Sequence, residues 1–369
     1  MGETTSSGRS GERLIYIDGL RGVAALMVLL FHFFNNTPYK ELWQRFLPDA
    51  VWWLLGKGWM GVEIFFVISG FVIAHALSHD RITGKYALVF LVRRSIRLDP
   101  PYWATIASWV VLTWLSNILL PMRALSFPSF GQVVSHLFYL QNILGYGDIV
   151  PVFWTLCLEL QFYTLYIFLL LLMVSGGHAV PGCGKRWLYR AGMVGFVLVT
   201  LLSWLSAVAD YPDSSWKTVW FPGSWFYFAM GVMGAWSLSD PKRSRFFSVY
   251  SALVVGGLMG RWGYATALAI LTAVSIVLAA RWGTMGTWLG GRFIQYCGKL
   301  SYSIYLIHFV VGLRVINYGY RLFGEGVGAA LLATIIGGVA TFIAAHVLHK
   351  AVEAPSMRLA KRVKKLFGT

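Results

Sequence analysis

Arg21 and His32 lie eleven residues apart in "YIDGLRGVAALMVLLFHFF" (16–34), an apolar run long enough to cross a bilayer, where each is costly. Eleven helical residues end about 20° past three full turns and rise about 16 Å, so the two side chains share one face of one helix. A guanidinium at one end suits a phosphate, and an imidazole at the other suits proton removal from a hydroxyl. The plainer alternative is that Arg21 snorkels to lipid phosphates and His32 sits at the opposite interface. The next run, "GVEIFFVISGFVIAHAL" (61–77), crosses in the opposite sense and puts Glu63 at about the depth of His32. A carboxylate beside an imidazole fixes its tautomer and stabilises its charged form, as a general base requires. A water-exposed Glu63 at the interface is the alternative.

Further along, "LVRRSIRLDPPYW" (91–103) carries Arg93, Arg94 and Arg97 just before another apolar run, with Pro100 and Pro101 setting a rigid start to it. Spacings of three and four gather these guanidiniums into one cluster suited to phosphate, although a positive-inside anchor has the same composition. "FWTLCLELQFYTLY" places Glu159 within an apolar run, and "KLSYSIYLIHFVVGLR" places Ser303, Tyr305 and His308 in another. Tyr305 and His308 are three apart and so share a face. A carboxylate in a membrane points to a functional site or to a buried arginine partner, whereas a core histidine satisfied by its neighbours is ordinary. His75 with His79, and His346 with His349, have helical metal-ligand spacing but no third ligand, so no metal is expected. Cys157, Cys183 and Cys297 show no paired spacing and read as reduced bystanders.

These residues need a membrane bundle to hold them. The chain is 57% hydrophobic and 12% charged over 369 residues, with a mean hydropathy of +0.63, outside the range of soluble domains. Ten spans are expected, at 14–34, 58–78, 101–120, 152–174, 187–208, 221–238, 246–260, 263–281, 300–323 and 327–349. Residues 124–147 carry no lysine or glutamate and could form an eleventh span, but that would invert everything downstream and send the basic end outward, so they are read as an outer loop, re-entrant where the backbone lines a cavity or packs on protein. With both termini cytoplasmic, most of the 31 lysines and arginines fall on the inner side, including the basic end "MRLAKRVKKLFGT". The net charge of +16 is thereby explained without nucleic acid. The reading is a single all-α polytopic domain over 1–369, with polar and basic tails at 1–13 and 354–369 and no appended soluble domain.

Taken in order, "IDGLRGVAALMVLLFH", "GVEIFFVISGF", "RRSIRLDPPYW", "FWTLCLELQFY", "SYSIYLIH" and "VEAPSMRL" resemble the membrane-bound acyltransferase family 3 over nearly the whole chain. Its second motif usually has Asp where this chain has Glu63. The resemblance implies an O-acyltransferase that moves an acyl group, commonly acetyl, from cytoplasmic acyl-CoA to a hydroxyl of a carbohydrate or glycolipid outside a bacterial inner membrane. On that footing Arg93, Arg94 and Arg97 hold the donor phosphates and Arg21 guides the donor inward. His32, oriented by Glu63, is the base, with Glu159, Ser303, Tyr305 and His308 lining the channel or holding the oxyanion. Direct transfer and an acylated His32 both remain open, as does a small secondary metabolite as acceptor. A transporter or flippase of a lipid-linked or sugar substrate is the rival from another class, since buried Arg, Glu and His also mark transport paths.

Overall fold

The apolar runs fold as helices. The computed structural model describes residues 14–77, 82–119, 126–177, 186–208, 220–239, 241–256 and 263–367; segment 1–13, His79 and Cys183 lie outside them. Among the described residues all regular structure is helical. Helix α1 (Ile15–Asn35) is followed by the short α2 (Lys40–Phe46) and α3 (Asp49–Gly56), then by α4 (Gly61–Leu77). Next come α5 (Gly84–Leu119), α6 (Phe130–Leu137), α7 (Trp154–Gly177) and α8 (Arg186–Val208). Three more, α9 (Trp225–Trp236), α10 (Pro241–Gly256) and α11 (Gly263–Arg281), precede α12 (Arg292–Ile307). A π-helical turn at His308–Leu313 joins α12 to α13 (Arg314–Phe323). A second, at His349–Glu353, joins α14 (Val327–Leu348) to α15 (Ala354–Phe367).

Seven helical stretches among the described residues are long and apolar enough to cross a membrane. The other three expected spans are helical but differ in extent. The 101–120 span is the second half of the longer α5; α9, with 12 residues, rises only about 18 Å against a hydrocarbon core of about 30 Å, and the described part of the 246–260 span lies within α10. Within 124–147 the structure forms α6, eight residues or about 12 Å, too short to span. Ser129 caps it, its hydroxyl accepting from the Gln132 amide at 3.1 Å.

Two expectations are corrected. Pro100 and Pro101 do not begin a helix; they lie inside α5, which continues through them. Their missing N–H groups leave the Ile96 and Arg97 carbonyls without the usual backbone donor, and the helix persists because neighbours pack around the joint, where the Tyr302 hydroxyl donates to the Leu98 carbonyl at 2.8 Å. The basic end, expected as a tail, is largely helix α15, packed on α5. Arg93 ties the two, its Nε donating to the Ala360 carbonyl at 3.1 Å.

Helix α4 occupies the centre of the bundle and is buried on nearly all sides, as a helix apolar all round must be. By contrast α8 and α14 expose Leu198, Leu202, Ile335 and Ile343, a surface suited to lipid. Backbone contact sets the packing around α4. A Cβ on Gly70 would collide with the Phe228 carbonyl oxygen of α9, and one on Gly231 with the Val67 carbonyl oxygen of α4. Such close crossings give helices in lipid their dispersion contact. Gly231→Ala is therefore expected to push α9 from α4 and cost about 3 kcal/mol, read as a lower thermal unfolding midpoint in detergent; an unchanged midpoint would contradict this packing.

Candidate active site

Arg21 of α1, Arg94 and Arg97 of α5, Glu159 of α7 and Glu353 of the second π turn converge on a cavity of about 90 Å³ between α4 and α12. We term it the arginine cavity. Ser69, Tyr302 and Tyr305 add hydroxyls, and Val62, Phe65, Phe66 and Leu98 add apolar wall. Arg94 is committed to the protein: its Nη2 pairs with Glu159 Oε1 at 3.1 Å, also bonds the Tyr163 hydroxyl, and the guanidinium lies 4.2 Å from the centre of the Tyr163 ring. Glu159 Oε1 further accepts from Ser69 Oγ at 2.8 Å and from Tyr163. Glu353 is likewise held, by Ser303 Oγ at 2.6 Å and by His349 Nδ1 at 3.0 Å. Three guanidiniums line the cavity against two carboxylates, and neither Arg21 nor Arg97 has a carboxylate of the described residues within ion-pair distance. Such a surplus of guanidinium suits an anion.

A second cavity, of about 350 Å³, contains His32 and Glu63 together with Phe31, Trp59, Trp154, Phe226 and Tyr227. It meets the first at Val62 and Tyr305, which line both. We term it the histidine cavity. Glu63 is 7% exposed and its Oε2 has no hydrogen-bond partner, an arrangement that buried carboxyl oxygens avoid unless something else donates to them. The apolar, ring-lined walls and few convergent polar groups are those of a small-molecule site.

His32 is oriented by His308, not by Glu63 as expected. His308 Nδ1 lies 3.1 Å from the Ile304 carbonyl, which can only accept, so the proton is on Nδ1 and Nε2 carries a lone pair. That Nε2 lies 3.1 Å from His32 Nδ1, which also faces the Val28 carbonyl at 2.9 Å. His32 therefore carries its own proton on Nδ1 and leaves Nε2 unprotonated, the form a general base needs. The reach explains the change of partner: Glu63 shares the cavity with His32, while the π turn sets His308 directly behind the ring. His308→Phe removes the acceptor and is expected to lower kcat on the order of 10- to 100-fold, part of what a positioned base supplies, with KM for the donor unchanged. His308→Gln can donate to Ile304 and accept from His32, and should restore much of the loss; equal defects in both variants would refute this role.

The structure brings Arg21, Arg94, Arg97, Glu159 and Tyr305 to one cavity and His32 and Glu63 to the next. It does not bring Arg93, which is spent on α15, nor Ser303 and His308, which stand behind Glu353 and His32 rather than in the channel wall. Residues missed from sequence are Ser69, Tyr163, Tyr302 and Glu353, and His349, weighed there only as a metal ligand, bonds Glu353 instead. Glu353 had a visible signal, a carboxylate just past the apolar run 327–349 and within "VEAPSMRL". His346 bonds Tyr296 at 3.0 Å while His349 bonds Glu353, so the pair does not converge on one point.

The described residues thus form a multi-helix membrane bundle in which a guanidinium-lined cavity adjoins one that holds a histidine. Residues 14–350 match the acyltransferase domain of the acyltransferase 3 family, and the chain belongs to that family. It is 27% identical to acyltransferase MdmB of Streptomyces mycarofaciens over 95% of this chain and 93% of that one. Identity is also 27% to the exopolysaccharide production protein ExoZ of Rhizobium meliloti, over 82% and 90% of the two chains. The peptidoglycan O-acetyltransferase OatA of Listeria monocytogenes is 28% identical over 43% of this chain and 24% of its own length. No solved structure matches the chain.

Proposed function

We propose that this acyltransferase is an O-acetyltransferase of the bacterial inner membrane, taking its acyl group from cytoplasmic acyl-CoA and giving it to a hydroxyl of a carbohydrate or glycolipid on the outer side. The observation that carries the reading is the junction of the two cavities, one positively charged, the other holding an unprotonated His32 nitrogen. Coenzyme A has phosphates at one end and the thioester at the other. Arg21 and Arg97 bind the phosphate end, and the arm carries the thioester toward Tyr305. The acceptor lies in the histidine cavity, its ring against Trp59, Trp154 and Tyr227 and a hydroxyl donating to Glu63.

His32 Nε2 takes the proton of the reacting hydroxyl, and its oxygen attacks the thioester carbonyl to form a tetrahedral intermediate. Collapse breaks the C–S bond, leaves the acyl group as an ester on the acceptor, and releases coenzyme A, whose thiolate takes the proton back from His32 through solvent. Direct transfer is the simpler route here, because the His32 nitrogen and the acceptor occupy one cavity. Relatives named for peptidoglycan and exopolysaccharide support a glycan acceptor.

The test is release of coenzyme A thiol from acetyl-CoA by the purified protein in detergent, with and without a glycan and lipid extract of its host. Extract-dependent release supports the reading. No release, together with no saturable binding of acetyl-CoA, favours a transporter of a lipid-linked or sugar substrate.

A further inference from the structure

Val62 of α4 and Tyr305 of α12 are the residues common to both cavities, and both are buried, at 8% and 6% exposure. Whatever passes between the arginine and histidine cavities passes these two side chains. Tyr305 is latched: its hydroxyl donates to the Val152 carbonyl at 3.1 Å and shares a bond with the Thr155 hydroxyl at 2.7 Å. Its ring is braced edge-on by Phe65 at 5.8 Å and backed by His308 at 6.1 Å between centroids. Val62 has no such latch. It is a branched side chain on the helix that Gly61 holds against the Ala24 carbonyl of α1, so its Cβ cannot retreat.

We infer that Val62 and Tyr305 form a partition that selects the acyl group by length, admitting acetyl and rejecting longer chains; the inference rests on the acyltransferase reading above. The arginine cavity, at about 90 Å³, is much the tighter of the two, against about 350 Å³ for the histidine cavity. Each added methylene on the acyl group presses further on the apolar wall of Val62, Phe65 and Phe66, in a core that yields to an extra methylene only with strain. The same partition keeps acceptor-side water from the thioester until Tyr305 swings, so latch and length filter are one device.

Acetyl-, propionyl-, butyryl- and hexanoyl-CoA are supplied in turn to the wild type, Val62→Ala, Val62→Leu and Tyr305→Phe, with the host glycan and lipid extract as acceptor and thiol release as the readout. A methylene in an apolar pocket changes rates by about 10- to 200-fold. The butyryl-to-acetyl ratio is therefore expected to rise about 10-fold or more in Val62→Ala, and the propionyl-to-acetyl ratio to fall by a similar factor in Val62→Leu. Tyr305→Phe, without its latch, should raise extract-independent hydrolysis relative to extract-dependent transfer. Ratios unchanged in both Val62 variants, with acetyl transfer measurable, would overturn the partition and leave the acyltransferase standing. A wild type that takes no acyl group of any length from coenzyme A would overturn both.

Discussion

Alanine at His32 is expected to lower acyl transfer by about 10²- to 10⁴-fold, the range a positioned general base contributes, with saturable acyl-CoA binding retained. The two halves of that statement come from separate observations. His32 Nε2 is the ring nitrogen left open by the bonds of Nδ1 to Val28 and His308, and no other described residue of the histidine cavity presents an unprotonated nitrogen. In the proposed function the donor binds in the arginine cavity, on the far side of Val62 and Tyr305, which His32 does not line. The measurement is kcat and KM for acetyl-CoA alongside equilibrium binding of coenzyme A. Full transfer by the variant would remove His32 from the chemistry. Loss of coenzyme A binding in a protein that remains monodisperse would instead show that the two cavities are not separate sites.

Position along the membrane is what the sequence states most clearly, because hydrocarbon excludes unpaired backbone and charge, and apolar runs of helical length follow. Arg21 and His32 can be placed on one face from their spacing alone, and they do occupy neighbouring cavities. Partnership is another matter. Which group bonds His32 depends on α12 lying against α1, a contact between residues 276 apart in the chain, and no local pattern encodes it. The choice between Glu63 and His308 is decided by the π turn, which begins at His308. One extra residue per turn is not visible as a break in an apolar run, and such turns collect at functional positions. The second π turn has the same effect on Glu353: helix α14 reads as ending at the apolar limit, yet the chain continues helically and brings a carboxylate into the arginine cavity.

Density of charge likewise misleads about role. Arg93, Arg94 and Arg97 are equivalent members of one cluster in the sequence, and the helix separates them by about 100° per residue. Arg93 faces α15, Arg94 faces Glu159 and Tyr163, and Arg97 faces the cavity. Only tertiary packing distinguishes anchor, structural pair and ligand site.

That separation gives the second large expected effect, a division of labour between Arg94 and Arg97. Arg94 and Glu159 have side chains only 16% and 18% exposed, and removing one partner of a pair so buried costs about 3–5 kcal/mol because the other charge stays without compensation. Glu159→Ala should therefore destabilise the bundle, with Ser69 and Tyr163 losing their shared acceptor as well. Glu159→Gln keeps an acceptor oxygen and should lose less. Arg97→Ala has no such pair to break; it removes a guanidinium that awaits an anion, and should raise KM for acetyl-CoA on the order of 10- to 100-fold, the worth of a hydrogen bond to a charged group, without lowering the unfolding midpoint. Thermal unfolding in detergent and donor KM, measured on the three variants together, test the division. If Arg97→Ala unfolds early and Glu159→Ala does not, the arginine cavity is held together by the group assigned here to the donor, and the phosphate site must be sought at Arg94.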